Sequence, residues 1–476
     1  MCRVIFSYVM IIWLLAANLL PVMFRPEPVM AMGTMAETTI GASVSSATAG
    51  AKQETSGQKI LVVTPAPNKG QYARIQTAID AANPGDTVLL EGGTYPEGIN
   101  LNKAIKLIGQ GSPTLDGGGQ GDVITLTADN CTVQGLIITN SGYDLTKDEA
   151  GIKVNSQNNL ITENRVLRNT WGIYFHAANN NVVSHNFIEG RAELLDSFRG
   201  NGIHLWKSSG NIIDANELTK NRDALYFSFA THNTVSNNLA YGQRIGIHYM
   251  YSDYNKLENN ILRDNVKGIA MMNSKSNEIK SNQVYRNSSH GIQLLELDDN
   301  LITGNIIYNN LMGIFMYNCQ HNQVSDNLLA ANMMGVEIAA GSDNNEFTKN
   351  SWLENLKQAK LTAPLDNRWD ASGQGNYWSD YTGYDLNNDG QGDTPYLQNR
   401  LVEDLVGKFP LAKLLFNSPM IQVINLAERA FPVLHPAGVE DKFPLMKPAQ
   451  DLKALEINWN IRFKVDPSDQ SDDSGM

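Results

Sequence analysis

The stretch Gly246-Ile-His-Tyr-Met-Tyr-Ser-Asp-Tyr-Asn-Lys-Leu-Glu-Asn-Asn-Ile-Leu-Arg-Asp-Asn-Val-Lys267 decides the fold, because the chain repeats its pattern on both sides. Gly followed by an aliphatic residue recurs at Gly151-Ile152, Gly172-Ile173, Gly202-Ile203, Gly268-Ile269, Gly291-Ile292, Gly313-Ile314 and Gly335-Val336, and Ala224-Leu225 fills the gap. A second phrase, Asn-x-aliphatic-x-x-Asn, keeps the same step from Asn159 and Asn164 through to Asn345 and Asn350. Two markers in register at a step of about 22 residues define a solenoid. Each unit is too short for a βαβ crossover, its apolar residues alternate, and Asn and Gly fall where the chain must turn. The reading is all-β: a right-handed parallel β-helix over residues 59–360. Because every rung carries them, the Asn columns read as turn structure. Stacked along the axis, they satisfy backbone that would otherwise be buried unpaired, and the left-handed turn positions suit Asn or Gly.

Upstream, Lys59-Ile-Leu-Val-Val63 reads as the first strand and Ile75 to Ala82 as a short helix stopped by Asn83-Pro84-Gly85. The run Ile75-Gln-Thr-Ala-Ile79, then Pro84-Gly-Asp-Thr-Val88 and Gly93-Thr-Tyr95, resembles the opening of carbohydrate-binding-and-hydrolase β-helix domains. That resemblance implies a helix capping the open end of the solenoid, where a bare edge invites aggregation. Before it, Met1-Cys-Arg3 and the apolar run Val4 to Phe24 read as a secretory signal over residues 1–31. The run is long enough that an uncleaved anchor is the alternative. Either way the body lies outside the cytoplasm, and residues 32–58, rich in Thr, Ser, Ala and Gly, form a flexible leader.

Downstream, the period stops after Asn355, and residues 361–400 read as a closing loop over the last rung. Within it, Asp385, Asn387, Asp389, Gln391 and Asp393, with Gly390 at the sixth place, match the first half of a calcium loop. The twelfth place is Tyr396 rather than Glu, so a plain Asx-turn cluster is the alternative. Residues 401–450 carry a helical apolar pattern from Leu405 to Leu434 with little chain left to bury it, as expected of a segment that docks on a protein or a membrane. Residues 451–476 read as a mostly disordered acidic tail. The one irregular step lies between Gly172 and Gly202, where extra residues from Glu189 to Arg199 predict a loop on one face.

A net charge of -12 and a pI near 5.2 argue against nucleic acid as a partner. Cys131 and Cys319 fall many rungs apart, which excludes a disulfide between them. Alternation along the Gly-Ile strand sends residues one and three after Gly inward and those two and four after outward. The outer column then reads Tyr174 and His176, His204 and Trp206, Tyr226 and Ser228, His248 and Met250, Ala270 and Met272. Rungs about 4.8 Å apart place Met250 beside Met272, with His248 about 6.8 Å along the strand. Imidazole with thioether sulfur selects Cu(I) over hard cations. An aromatic patch for a protein or a sugar is the plainer reading of the same column. A glycan lyase or epimerase needs converging carboxylates or bases. On this face Glu337 stands far along the axis, while Asp223 and Arg244 sit in a neighbouring column.

The end of the chain carries the more specific resemblance. Gly375-Asn-Tyr-Trp-Ser-Asp-Tyr381, Tyr384 to Tyr396, Phe409-Pro-Leu with Leu414-Leu415, Ser418-Pro419, Glu428-Arg-Ala-Phe-Pro-Val-Leu434 and Phe443-Pro-Leu-Met446 closely resemble the NosD family. These are periplasmic accessory proteins of nitrous oxide reductase. The resemblance spans residues 59–448 and implies a non-enzymatic role beside an ABC transporter of permease and ATPase, helping to deliver copper and sulfur for the copper-sulfide cluster. It also implies a lipoprotein copper chaperone and the apo-reductase as partners, and association with the membrane through partners. On that reading Glu428, Arg429 and Phe431 belong to the permease-docking segment. Tyr174, His176, His204, Trp206 and Tyr226 belong to a face that receives the chaperone or the reductase, and His248, Met250 and Met272 form a transient Cu(I) site inferred from the column geometry alone.

Overall fold

The computed structural model describes residues 58–362, 365–398, 423 and 438–452. The expected signal, nearly all of the expected leader, the expected acidic tail beyond residue 452 and most of the expected docking segment, with Glu428, Arg429 and Phe431, lie outside the described residues.

Three parallel sheets run side by side along the molecule. One has 13 strands from Ile60–Val63 to Glu346–Thr348, a second has 13 from Thr94–Tyr95 to Tyr377–Trp378, and the third, the Gly-Ile sheet, has 12 from Ile99–Leu101 to Lys357–Leu361. Each strand pairs with its copy one coil on, as in Ile247↔Ile269↔Ile292. Inward residues therefore stack on their equivalents: Ile247 on Ile269, Leu257 on Ile279 and Leu262 on Val284, all fully buried. The parallel β-helix expected from the period is the fold observed.

What holds the corners is more specific than the period implies. In the ladder that includes Asn233, Asn255 and Asn277, each Asn Oδ1 accepts both the backbone N–H and the side-chain N–H of the Asn one coil before, at 2.9 to 3.2 Å. The ladder through Asn238, Asn260 and Asn282 does the same, and Asn260 Nδ2 also donates to the Val235 carbonyl. A third ladder, running through Asn265, Asn287, Asn310, Asn332 and Asn355, is absent from the two-marker reading. The ladder residues are not themselves the left-handed ones. That conformation falls on the residue just before each, such as Asn237, Asn259 and Ser281, or Tyr254 and Ser276. The repeated Gly has a different reason again: a Cβ on Gly246 would stand 2.6 Å from the Gly268 carbonyl oxygen, so it gives room rather than a turn.

The solenoid is also longer than its clearest repeat. Ile124–Leu126 pairs with Ala150–Val154 below the first Gly-Ile copy, and Lys357–Leu361 pairs with Met334–Ile338 beyond Asn355. Asn367 and Asn376 extend two of the ladders by a further coil. At the start, the helix Ile75–Ala81 turns Ile75, Ala78 and Ile79 into the core, and Glu97 accepts the Ile75 N–H at 2.8 Å. At the end, the rings of Trp352, Trp378 and Tyr396 stack on one another, and Trp369 stacks on Phe347. Residues 438–450, expected to belong to the docking segment, return to this plug. Glu440–Asp441 pairs antiparallel with Tyr396–Leu397, and buried Asp441 accepts from Trp378 Nε1 at 2.9 Å and from the Asn376 N–H at 2.7 Å. Cys131 and Cys319 are both free and buried in the first and last parts of the stack.

Replacing Asn260 with Ala takes the acceptor from the buried Asn238 backbone N–H, one of three bonds from Asn238 Nδ2, and the side-chain donor from the Val235 carbonyl. Denaturant unfolding should show a loss of roughly 3 kcal/mol, since each buried polar group left unmet costs about 1–3 kcal/mol. The outward-facing Lys256→Ala, in the neighbouring strand, should cost about 0.5 kcal/mol or less.

Candidate functional site

The outer side of the Gly-Ile sheet carries a continuous column of rings. Register pairs Tyr174 with His204, His204 with Tyr226, Tyr226 with His248, and Met250 with Met272. Ring centroids lie 4.7 Å apart from Tyr174 to His204, 4.7 Å from His204 to Tyr226 and 4.8 Å from Tyr226 to His248, and Trp171 packs edge-on to His204 at 5.0 Å. The alternation expected from the sequence holds, but the column is drier than an outer face implies. Tyr174, His204 and His248 are buried, Tyr226, Met250 and Met272 half-buried. His176, which stacks on Trp206 at 4.6 Å, is exposed at the rim. The expected partner-facing residues Tyr174, His204 and Tyr226 are thus mostly packed on one another, leaving His176 and Trp206 as the accessible edge.

Two loops wall this column at the corner where the second sheet passes into the Gly-Ile sheet. The insertion expected between Gly172 and Gly202 is there, with a short 3-10 turn at Asp196–Phe198. A second excursion, carrying the turn Leu145–Lys147, was not legible in the repeat. The two meet where the Arg191 guanidinium lies 3.8 Å over the Tyr143 ring and donates to the Ser141 carbonyl at 2.9 Å.

His248 has the chemistry of a ligand. Its Nδ1 is 2.9 Å from Asp223 Oδ2, and Asp223 is held by Arg244 through Nε at 2.9 Å and Nη2 at 2.7 Å. Its Nε2 is buried and has no hydrogen-bond partner. Met250 follows two residues on along the strand and receives the Tyr226 hydroxyl on its sulfur at 3.0 Å. Met272 stands one coil above it. Among the described residues no group of three or more His, Cys, Asp or Glu is placed to hold a metal ion, so a site here depends on thioether sulfur. One imidazole nitrogen with two sulfurs is a donor set suited to Cu(I). Asp223 and Arg244, set aside above as neighbours, prove to be joined to His248.

His204 differs. Burial is the main cause that lowers its pKa, to about 4, against an attraction to Asp223 that raises it. For Asp223, burial works to raise the carboxyl, and the bonds from His248 and Arg244 outweigh it, leaving it below the ordinary value. The calcium reading of residues 385–393 gains no support from the geometry. Asp385 accepts from the Gly390 N–H, Asn387 from the Asp389 N–H, Asp389 from the Gln391 N–H and Asp393 from the Leu386 N–H, which is an Asx-turn cluster. Glu337 is paired with Lys360 at 2.6 Å.

The fold defines the class first. Among solved structures the chain resembles the A-module of mannuronan C-5 epimerase AlgE6 from Azotobacter vinelandii, with a TM-score of 0.55 and 18% identity, covering 64% of this chain and 94% of that one. At that identity the likeness shows a parallel β-helix and nothing about activity. The sequence is more specific. The family model described as "Periplasmic copper-binding protein (NosD)" matches residues 184–383. A relative in Pseudomonas aeruginosa, "Probable ABC transporter binding protein NosD", is 32% identical over 374 residues, covering 75% of this chain and 87% of its own length. One of the same name in Stutzerimonas stutzeri is 31% identical over 375 residues, covering 75% and 86%. The chain belongs to the NosD family.

The depressed His204 has a measurable consequence in the metal-free protein. Between its ordinary value of 6.5 and about 4 the unfolded chain binds a proton there that the folded chain does not, so stability falls as pH drops through that window. The full difference is about 3 kcal/mol at about 1.4 kcal/mol per unit. Denaturant midpoints recorded against pH should flatten over this window in His204→Gln; parallel profiles in variant and wild type would contradict the assignment.

Proposed function

We propose that this chain is an extracytoplasmic scaffold and copper-handling subunit that works with an ABC transporter in maturing the copper-sulfide centre of nitrous oxide reductase. The observation that carries the reading is the buried, unpartnered Nε2 of His248 in one column with the sulfurs of Met250 and Met272. Membership of a family described as periplasmic and copper-binding supports it, as does the name of the two relatives as transporter-binding proteins.

Copper is cargo on this account. His248, Met250 and Met272 would hold Cu(I) transiently, and three soft neutral donors release it more readily than a thiolate cage would. The rim at His176 and Trp206, with the two corner loops, offers the surface on which a copper chaperone lipoprotein or the apo-reductase would dock. The permease and ATPase would be met by the segment that includes Glu428, Arg429 and Phe431, keeping the solenoid at the membrane through its partners. The role is one of delivery and scaffolding, without catalysis by this chain.

Anaerobic Cu(I) titration against a competing chelator tests the site. Stoichiometric binding should be lost in the triple variant His248→Ala, Met250→Ala, Met272→Ala; no binding in the wild type would sink the copper role. Docking needs a separate test that leaves residues 438–452 in place, because they complete the end plug. Alanine at Glu428, Arg429 and Phe431 together should abolish co-purification with permease and ATPase while Cu(I) binding is kept.

A further inference from the structure

We infer that Asp223, anchored by Arg244, is a positioning residue that fixes His248 in the one tautomer able to bind a soft metal ion through Nε2. The inference deepens the proposed reading of the His248, Met250, Met272 cluster and rests on it for the identity of the ion.

The hydrogen-bond inventory forces the tautomer. Arg244 has donors only, and it reaches both oxygens of Asp223, Nε to Oδ1 and Nη2 to Oδ2. The carboxylate is therefore an acceptor at both ends, and its third bond, at 2.9 Å to His248 Nδ1, must carry the proton on the imidazole. A neutral His248 then bears its lone pair on Nε2, the atom that lies buried without a partner. Metal-ligating imidazoles are held in this way, with the far N–H given to a carboxylate that sets the ring and raises its basicity. Asp223 is 1% exposed and His248 5%, so water does not compete for either end.

His204, two coils before it in the same column, is set in the opposite sense. The Asn201 side-chain Oδ1 accepts the Asp223 N–H at 3.3 Å, which turns the Asn201 Nδ2 toward His204 Nδ1, also at 3.3 Å. A donor facing Nδ1 puts the ring proton on Nε2, and that imidazole has no lone pair to offer outward. Two histidines in one column thus have opposite tautomers, and the difference is written by Asp223 and Asn201. The residue just before each Gly or Ala of the repeat reads Ala150, Trp171, Asn201, Asp223, Ile245, Lys267, His290, Met312 and Met334. The carboxylate falls in the coil immediately below His248.

Histidine labelled with 15N in the full-length metal-free protein gives the readout, with His248→Gln to assign the signals. Long-range proton–nitrogen spectra should show His248 protonated on Nδ1 and unprotonated on Nε2, and His204 the reverse. In Asp223→Asn one acceptor oxygen replaces two that are both engaged, so the His248 tautomer should change and Cu(I) affinity should fall about 10- to 100-fold. Arg244→Met, at a half-exposed position, is the second variant should Asp223→Asn fail to fold, and it should lower Cu(I) affinity in the same direction. A wild-type His248 carrying its proton on Nε2, or Cu(I) affinity unchanged in both variants, overturns the inference. The predicted tautomers together with no Cu(I) binding in wild type would instead uphold the positioning and remove the copper reading.

Discussion

A buried turn in a solenoid repeats its unmet N–H and carbonyl groups at every coil, and that debt has to be settled by something that repeats with it. Here it is settled by asparagine. One Oδ1 takes two N–H groups from the coil before, and one Nδ2 returns a bond to a backbone carbonyl, so each Asn ties its neighbours along the axis. A side chain one methylene longer or a hydroxyl cannot make all of these bonds in the same place, and the ladders hold even across the 30-residue step from Asn181 to Asn211. Glycine serves a separate constraint, the close passage of the next coil's carbonyl beneath the Gly-Ile strand.

The site inherits its precision from those ladders. With the register locked at the corners, residues more than 20 apart in sequence arrive as neighbours: Tyr226 under His248, Met250 under Met272, and Asp223 in the coil below within reach of His248 Nδ1. The extra residues after Glu189 leave as a loop and do not disturb the pairing of Ile173 with Ile203. The chain therefore gains walls beside its column of rings at no cost to the column itself. A site built of side chains on a rigid sheet, with water kept away by packed aromatic rings, suits a soft ion held by neutral donors. The sulfur of Met250, the ligand proposed above, is already engaged by the Tyr226 hydroxyl, a weak contact that a metal ion would compete against.

Much of this was written in the sequence because a period is a local signal repeated until it is unmistakable. The solenoid, the inserted loop and the pairing of Met250 with Met272 follow from residue spacing, while the capping role of the first helix was implied by a family resemblance and the end loop by its aromatic composition. Other features are invisible to spacing. The first coils and the last lack the Gly-Ile phrase, so the repeat by itself does not mark them. The third ladder lacks the aliphatic phrase of the other two, with Gln243 among its Asn residues. The burial of Tyr174, His204 and His248 on an outward face depends on large rings shielding one another, which alternation alone cannot foretell. The bond between Asp223 and His248 joins residues one coil apart and offset along the strand. A column-by-column reading that compared the residue before each Gly across the coils would have shown that this column holds a carboxylate just below the metal-type histidine. The calcium-like spacing at residues 385–393 is ambiguous for the opposite reason, since the same alternation of oxygens serves Asx turns.

The central claim is that Cu(I) is held on the outer face of the Gly-Ile sheet by one imidazole nitrogen and two thioether sulfurs. X-ray absorption at the copper edge on the Cu(I)-loaded full-length protein tests it most directly. The account predicts a shell with one nitrogen and two sulfur scatterers, reduced in sulfur when Met272 is replaced by leucine. A shell of nitrogen and oxygen alone, or one indifferent to that substitution, would contradict it.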